Sequence, residues 1–164
     1  MRVAVLSDLH DNLTNWQIIA KQLKKEVIDV LLFCGDLCAP DTLKEMGQDF
    51  SKKIYLVHGN VADRQGERET AEQLNNAEHL GDLGELSLDN KKIAINHYPD
   101  QAKELAESGK YDYVFYGHNH SQNQEKIGDT ILINPGTAGG MFEYPSYALV
   151  DLASGQVEFI NITL

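Results

Sequence analysis

Residues 111–122 read YDYVFYGHNHSQ, in which a run of Tyr, Val and Phe from Tyr113 stops at Gly117 and is followed by His118 and His120, one residue apart. A run that is apolar at successive positions, rather than at alternate ones, suits a strand covered on both faces. The same arrangement, a short apolar run and then a polar turn, recurs along the chain. Val3 to Leu6 leads into Ser7-Asp8-Leu9-His10, and Val30 to Cys34 leads into Gly35-Asp36. Ile54 to Val57 leads into His58-Gly59-Asn60, and Ile93 to Ile95 into Asn96-His97.

The segments between these runs supply covering helices. After Asn12, a cap by residue type, Trp16, Ile19, Ala20, Leu23 and Val27 repeat at helical spacing and define one apolar stripe. Pro40-Asp41 opens a second helix, a weakly apolar one falls within 64–75, and another runs from Asp100 to a stop at Gly109. The later chain reads as strands. Leu86 and Leu88 alternate with polar residues, Asp89-Asn90 makes a turn, and Ile93 and Ile95 resume the alternation, which together predict a hairpin. Ile131 to Ile133, Tyr147 to Leu152 and Val157 to Leu164 add further strands. The fold class expected is α/β, layered in the α+β manner: two packed mixed β-sheets flanked by helices, with one mixed sheet as the alternative.

With 164 residues, 42% of them hydrophobic, the chain is of a size for one domain spanning 1–164, since a domain of about 150 residues buries roughly two-thirds of its unfolded surface. No repeat or linker-like tract interrupts it. A formal net charge of -11 would repel a polyphosphate, so long nucleic acid is excluded as a partner. No apolar run approaches the roughly 18 residues of a membrane span, and no leader pattern opens the chain, so a cytoplasmic protein is expected. Cys34 and Cys38 read as free buried thiols, too few for a disulfide framework.

In sheets with covered faces, ligands gather beyond the carboxyl ends of the strands. Here those ends deliver Asp8, His10, Asp36, Asn60, His97, His118 and His120. Taken singly, Asp8 or Asp36 reads equally as a helix cap, Asn60 as a turn residue, and each histidine as a hydrogen-bonded surface group. Together they read as a metal site. Imidazole with carboxylate suits manganese, iron, zinc or nickel, and seven donors are too many for one tetrahedral ion but suit two ions sharing a carboxylate.

In order and wording these motifs resemble the calcineurin-like metallophosphoesterases, in particular their small, compact phosphodiesterase members. The resemblance runs from Ser7-Asp8-Leu9-His10 to Ile133-Asn134-Pro135-Gly136. It implies a two-sheet sandwich and two divalent ions, with manganese the leading candidate. Carried over by position, it implies that Asp8, His10 and His120 hold one ion, that Asn60, His97 and His118 hold the other, and that Asp36 bridges them. The implied activity is hydrolysis of small phosphodiesters by attack of a hydroxide held between the two metals, with Asp36 and Asn60 central to catalysis. Two divalent ions carry about +4, the carboxylates of Asp8 and Asp36 return about -2, and a bridging hydroxide leaves roughly +1, which a diester monoanion neutralises. A phosphomonoesterase and a non-catalytic scaffold, like the retromer subunit of this fold, are the rival readings.

The chain departs from the family pattern after Gly59-Asn60. Where many members carry a histidine placed to protonate the leaving group, this chain has Val61-Ala62-Asp63. General-acid catalysis is worth ~10²–10⁴-fold, so substrates with good leaving groups are expected to be preferred. His58 is a candidate substitute acid, against the plainer expectation of a strand-end histidine bonded to backbone. Tyr98, after His97, either lines the substrate crevice or packs over the sheet, and His79 reads as a surface residue.

Overall fold

The computed structural model describes residues 1–163. Its elements run β1 (Arg2–Leu6), α1 (Leu13–Leu23), β2 (Val30–Phe33), α2 (Pro40–Asp49), β3 (Lys53–Leu56), α3 (Arg64–Gln73), β4 (Ala77–His79), β5 (Leu83–Leu88), β6 (Lys91–Asn96), α4 (Pro99–Glu107), β7 (Tyr113–Phe115), β8 (Gln122–Ile127), β9 (Thr130–Pro135), β10 (Ser146–Asp151) and β11 (Val157–Asn161). Two mixed sheets form. One has the order β11-β10-β1-β2-β3-β4, the other β5-β6-β7-β9-β8.

The unbroken apolar runs are explained by burial on both faces. In β1 and β2, Ala4, Leu6, Leu31 and Phe33 face the helices, packing on Trp16, Ile19, Leu43 and Met46. Their neighbours Val3, Val5, Val30 and Leu32 face inward and meet Ile93, Ile95, Tyr113, Phe115 and Ile133 of the second sheet. The outer face of that sheet, through Ala94, Val114 and Leu132, is covered by Ala102 and Ala106 of α4. The result is a four-layer sandwich of helices, sheet, sheet and helix.

β1 to β4 are parallel, as are β6, β7 and β9, so each sheet sends several carboxyl ends to one rim. Backbone hydrogen bonds hold the turns at each rim, and one of them, from Ala138 to Ser7, crosses between the sheets. Gly117 N–H donates to the His97 carbonyl, Ala138 N–H to the Ser7 carbonyl, and Asp8 N–H to the Gly35 carbonyl.

Local signals hold where they are strong. Asn12 caps α1 by accepting from Asn15 N–H, Pro40 opens α2, and Asp89 and Asn90 both take the left-handed conformation that a two-residue hairpin turn requires. Three expectations need correction. Val27 continues the helical stripe in sequence but lies beyond the end of α1 and is 80% exposed, because the chain has already turned toward β2. Two strands, β4 and β8, escape the periodicity reading. β4 is three residues long, and β8 is a polar edge strand whose only sequence mark is the Gly128-Asp129 turn to β9. The final strand spans Val157–Asn161, and the predicted end at Leu164 lies outside the described residues. Among the described residues no helix is long and apolar enough to cross a membrane.

Trp16 is fully buried between α1 and the sheet, and its indole N–H donates to Asp49 Oδ2 at 3.1 Å, tying α1 to α2. Trp16→Ala is expected to cost about 3–5 kcal/mol, checked by urea denaturation, through lost contact and the cavity left behind.

Candidate metal centre

Each proposed ligand sits where a strand has just ended: Asp8 and His10 after β1, Asp36 after β2, Asn60 after β3, His97 after β6, His118 and His120 after β7. The backbone does not relax at these turns. Asp8, His10, Asp36, His118 and His120 all have positive φ, at 54°, 49°, 56°, 73° and 59°. Non-glycine residues seldom adopt this region, and such strain persists only where surrounding contacts over-determine it.

Those contacts are visible at both carboxylates. Asp8 is fully buried, and its Oδ2 accepts the backbone N–H of His118 at 3.0 Å. Asp36 is 2% exposed, and its Oδ1 accepts the backbone N–H of Val61 at 2.8 Å. In each case one oxygen is held by a turn from another strand and the second is aimed into the site. Asp8 Oδ1 lies 3.3 Å from His120 Nε2 and 3.8 Å from His10 Nε2. Asp36 Oδ2 lies 3.4 Å from His97 Nε2 and 3.9 Å from His10 Nε2. Asp8 Oδ1 and His10 Nε2 are buried without a hydrogen-bond partner. Unpaired buried polar atoms are costly, so a carboxylate oxygen and an imidazole nitrogen facing each other in this state are what a cation would satisfy.

The histidine tautomers follow from what stands behind each ring. His97 Nδ1 is 2.8 Å from the Cys34 carbonyl and His120 Nδ1 is 2.9 Å from the Met141 carbonyl. A carbonyl can only accept, so both rings carry the proton on Nδ1 and turn the Nε2 lone pair inward, the usual setting of a metal-binding imidazole. His97 Nε2 and His118 Nδ1 converge on Asn60 Oδ1, at 3.1 and 2.9 Å. Two sets of donor atoms thus lie within 4.8 Å of one another, Asp8-His10-His120 and Asp8-Asp36-His97, with Asn60 and His118 completing the second side.

Burial works to raise the Asp36 carboxyl, but the His97 hydrogen bond, the Val61 N–H and the charges of His97 and His10 outweigh it and hold the group below its ordinary value. Burial works to lower His97, yet Asp36 and Asp8 overcome it and raise that imidazole. Cys38, whose Sγ lies 3.5 Å from His10 Nδ1, is pushed up to about 12 by burial and the surrounding carboxylates and stays a thiol.

Glycine is required here by close approach. A Cβ on Gly59 would stand 2.0 Å from Asp36 Oδ1, and one on Gly117 would stand 1.9 Å from Ser7 Oγ and 2.6 Å from Asp8 Oδ2. In the turn after β7 the left-handed residues are His118 and His120.

His58 does not join this set. It is buried, with Nδ1 3.1 Å from Glu67 Oε2, while Nε2 accepts from Arg68 Nε at 3.1 Å. Both nitrogens are committed away from the centre, so the structure gives no geometry for His58 as a substitute acid. His79, expected at the surface, is also corrected. Its side chain is 3% exposed, its Nε2 is 3.2 Å from the same Glu67 oxygen, and its Nδ1 accepts from Gly81 N–H. Although His58, Glu67 and His79 have the composition of a metal site, their outer nitrogens face donors. Each proton is therefore forced inward onto Glu67, which makes a hydrogen-bonded brace between β3, α3 and β4 and not a cation site. Sequence reasoning missed this brace because its members are far apart and carry no motif. It also missed Thr137, whose hydroxyl donates to the Asp8 carbonyl at 2.9 Å. Tyr98 lies at the rim, its ring centroid 5.1 Å from that of His97 and 5.2 Å from that of His118.

Residues 1–155 match the family model described as the calcineurin-like phosphoesterase superfamily domain. The chain is 30% identical over 158 residues to phosphodiesterase MJ0936 of Methanocaldococcus jannaschii, covering 92% of this chain and 93% of that protein. Its structure is similar to that of a protein characterised as a novel archaeal phosphodiesterase, with TM-score 0.91, 26% identity, and 99% and 100% of the two chains covered. It also has the fold of Vps29 from Entamoeba histolytica solved with zinc, with TM-score 0.71, 19% identity, and 99% and 98% of the two chains covered.

Burial and the nearby Arg68 and Arg64 lower His79 to about 4. As pH drops from about 6.5 to about 4, the unfolded chain gains a proton at this position that the folded chain refuses, so stability falls over that window. Replacing His79 by Gln is expected to narrow the difference in urea midpoint between about pH 7 and about pH 4. An unchanged difference would place the acid sensitivity elsewhere.

Proposed function

The chain belongs to the calcineurin-like phosphoesterase superfamily, and from that premise we propose that it is a dinuclear metal-dependent phosphodiesterase acting on small phosphodiesters. The single observation that carries this reading is the pair of buried carboxylates, each with one oxygen fixed by a backbone N–H and one aimed at imidazole lone pairs. The donor set fits two divalent ions. Asp8, His10 and His120 would hold the first, and Asn60, His97 and His118 would hold the second. Asp36, whose Oδ2 lies near both His97 Nε2 and His10 Nε2, would be shared between the two ions. Mixed imidazole, carboxylate and amide donors admit manganese, iron, zinc or nickel, and the family resemblance makes manganese the leading candidate.

Bound at these positions, such ions would supply Lewis-acid polarisation of the phosphoryl group and activation of the attacking water. The protein's own part is to hold the donors before the substrate arrives. Val61 N–H and His118 N–H fix the two carboxylates, and the Cys34 and Met141 carbonyls fix two imidazoles, so little reorganisation remains for the reaction. The phosphodiesterase names of the relatives support a diester over a monoester. Residues 1–164 act as one cytoplasmic domain in this reading, and the net charge of -11 restricts the substrate to small diesters rather than long nucleic acid.

With Val61 in the family's histidine position and His58 turned away, the leaving oxygen departs without a side-chain proton from either residue. Rates on a series of diesters are therefore expected to fall steeply as the leaving group becomes more basic, with aryl and strained cyclic phosphates far ahead of simple alkyl diesters. Equal rates on activated and alkyl diesters would refute this. His58→Gln is expected to lower stability while leaving turnover of an aryl diester within a few fold.

The test of the activity itself is to strip the protein with chelator, restore manganese, and assay a chromogenic diester beside the matching monoester. Metal-dependent diester turnover is expected, and Asp36→Asn is expected to reduce it to background while the fold survives. Monoester preference would favour a phosphatase, and stoichiometric metal uptake without turnover would favour a scaffold.

A further inference from the structure

We propose that the loop running from Gly140 to Pro145 forms a ring-binding subsite beside the metal centre, taking a planar group with hydrogen-bonding edges, such as a nucleobase, carried on the phosphodiester. This rests on the phosphodiesterase reading and names the class of its substrate.

The loop presents two aromatic side chains to solvent, Phe142 at 89% and Tyr144 at 84% exposure. Apolar rings exposed together on one short segment call for a ligand or a partner. Phe142 is moreover held at φ 66°, a conformation unfavourable for a bulky residue. The segment is fastened to the centre on both sides. Before it, Gly140 N–H donates to Thr137 Oγ1 at 3.2 Å, and that hydroxyl donates to the Asp8 carbonyl. Within it, the Met141 carbonyl takes the Nδ1 proton of His120, and the Phe142 ring centroid lies 5.4 Å from that of His120. The loop, and the Phe142 ring with it, is therefore positioned relative to residues that would hold a metal ion.

Beside the loop is a cavity of about 340 Å³ lined by His120, Gln122, Glu143, Tyr144, Ser146 and Asn161. Its polar groups are of the kind that reads the edge of a heterocycle. Gln122 Nε2 donates to Asn161 Oδ1 at 2.8 Å, leaving the Gln122 carbonyl as an acceptor and the Asn161 amide as a donor. Tyr144 lines the cavity together with these amides, while Phe142 lies against His120, which also lines it. A ring stacked on an aromatic side chain while its edge meets amides is a common mode of recognition for an unstacked base. The acidic surface opposes a polyanion, so the ligand that satisfies both features is a single nucleotide-sized diester.

Titration calorimetry of the manganese-loaded protein with AMP and with ribose 5-phosphate separates ring from phosphate, because the probes differ by the adenine. AMP is expected to bind about tenfold tighter, the size of one base–aromatic stack, and a Phe142→Ala, Tyr144→Ala double variant is expected to bring the ratio to about one. In that variant, metal uptake and ribose 5-phosphate affinity are expected to stay unchanged. Equal affinities in the wild-type protein, with ribose 5-phosphate still bound, would overturn the subsite and leave the phosphodiesterase reading intact. Failure of both probes to bind would count against a phosphoester site and the subsite together. A double variant that keeps the ratio but sediments as a smaller species would overturn the subsite and assign the rings to contact between copies of the chain.

Discussion

Two buried carboxylates set the terms for the rest of this molecule. Asp8 and Asp36 are almost wholly removed from water, which is tolerable only if their charges are met by donors or cations inside the protein. Backbone N–H groups meet half of that need, one per carboxylate, and they come from turns belonging to other strands. The sandwich must therefore bring β1, β2, β3 and β7 to a single rim before either aspartate can be buried. Had the two sheets packed in another register, His118 N–H would not reach Asp8 and the carboxylate would be left unpaired.

The same requirement explains the concentration of left-handed residues at the rim. A strand end that continued in extended geometry would carry alternate side chains to opposite faces. By turning sharply at Asp8, His10, Asp36, His118 and His120, the chain instead directs these side chains toward a common centre. The strain is offset by the hydrogen bonds between turns, one within a sheet at Asp36 and one between the sheets at Asp8, and two positions without a Cβ, Gly59 and Gly117, let the backbones approach closely enough to make them. Strain of this kind concentrates at sites where geometry matters more than local stability.

Histidines of like composition take opposite roles here according to what stands behind them. His97 and His120 are backed by carbonyls, so their lone pairs point at carboxylates that lack enough donors. His58 and His79 are backed by Arg68 and the Gly81 N–H, so their protons point at Glu67. Burial then raises Glu67 to about 7, against the hydrogen bond and charge of His58. One arrangement turns imidazole lone pairs toward its carboxylates and the other turns imidazole protons onto one oxygen of Glu67, though both pair imidazole with carboxylate.

The α/β class, the strand ends and the residue types gathered at them were legible in the sequence, whereas the division into two sheets rather than one was decided by the tertiary structure. Doubly buried strands must be apolar at successive positions, and an abrupt polar turn after such a run is a local event that YVFYGHNH or VLLFCGD writes out in full. The sequence also revealed the departure at Val61. What it could not hold were relations between distant residues: the carbonyl behind each imidazole, the N–H that turns each carboxylate, the closure of His58 and His79 on Glu67, and the edge strand β8, whose polar side chains carry no burial pattern. Those were decided by tertiary packing, because hydrogen-bond direction and tautomer depend on which groups face each other across the two sheets, and no residue's neighbours in the chain specify its neighbours in space.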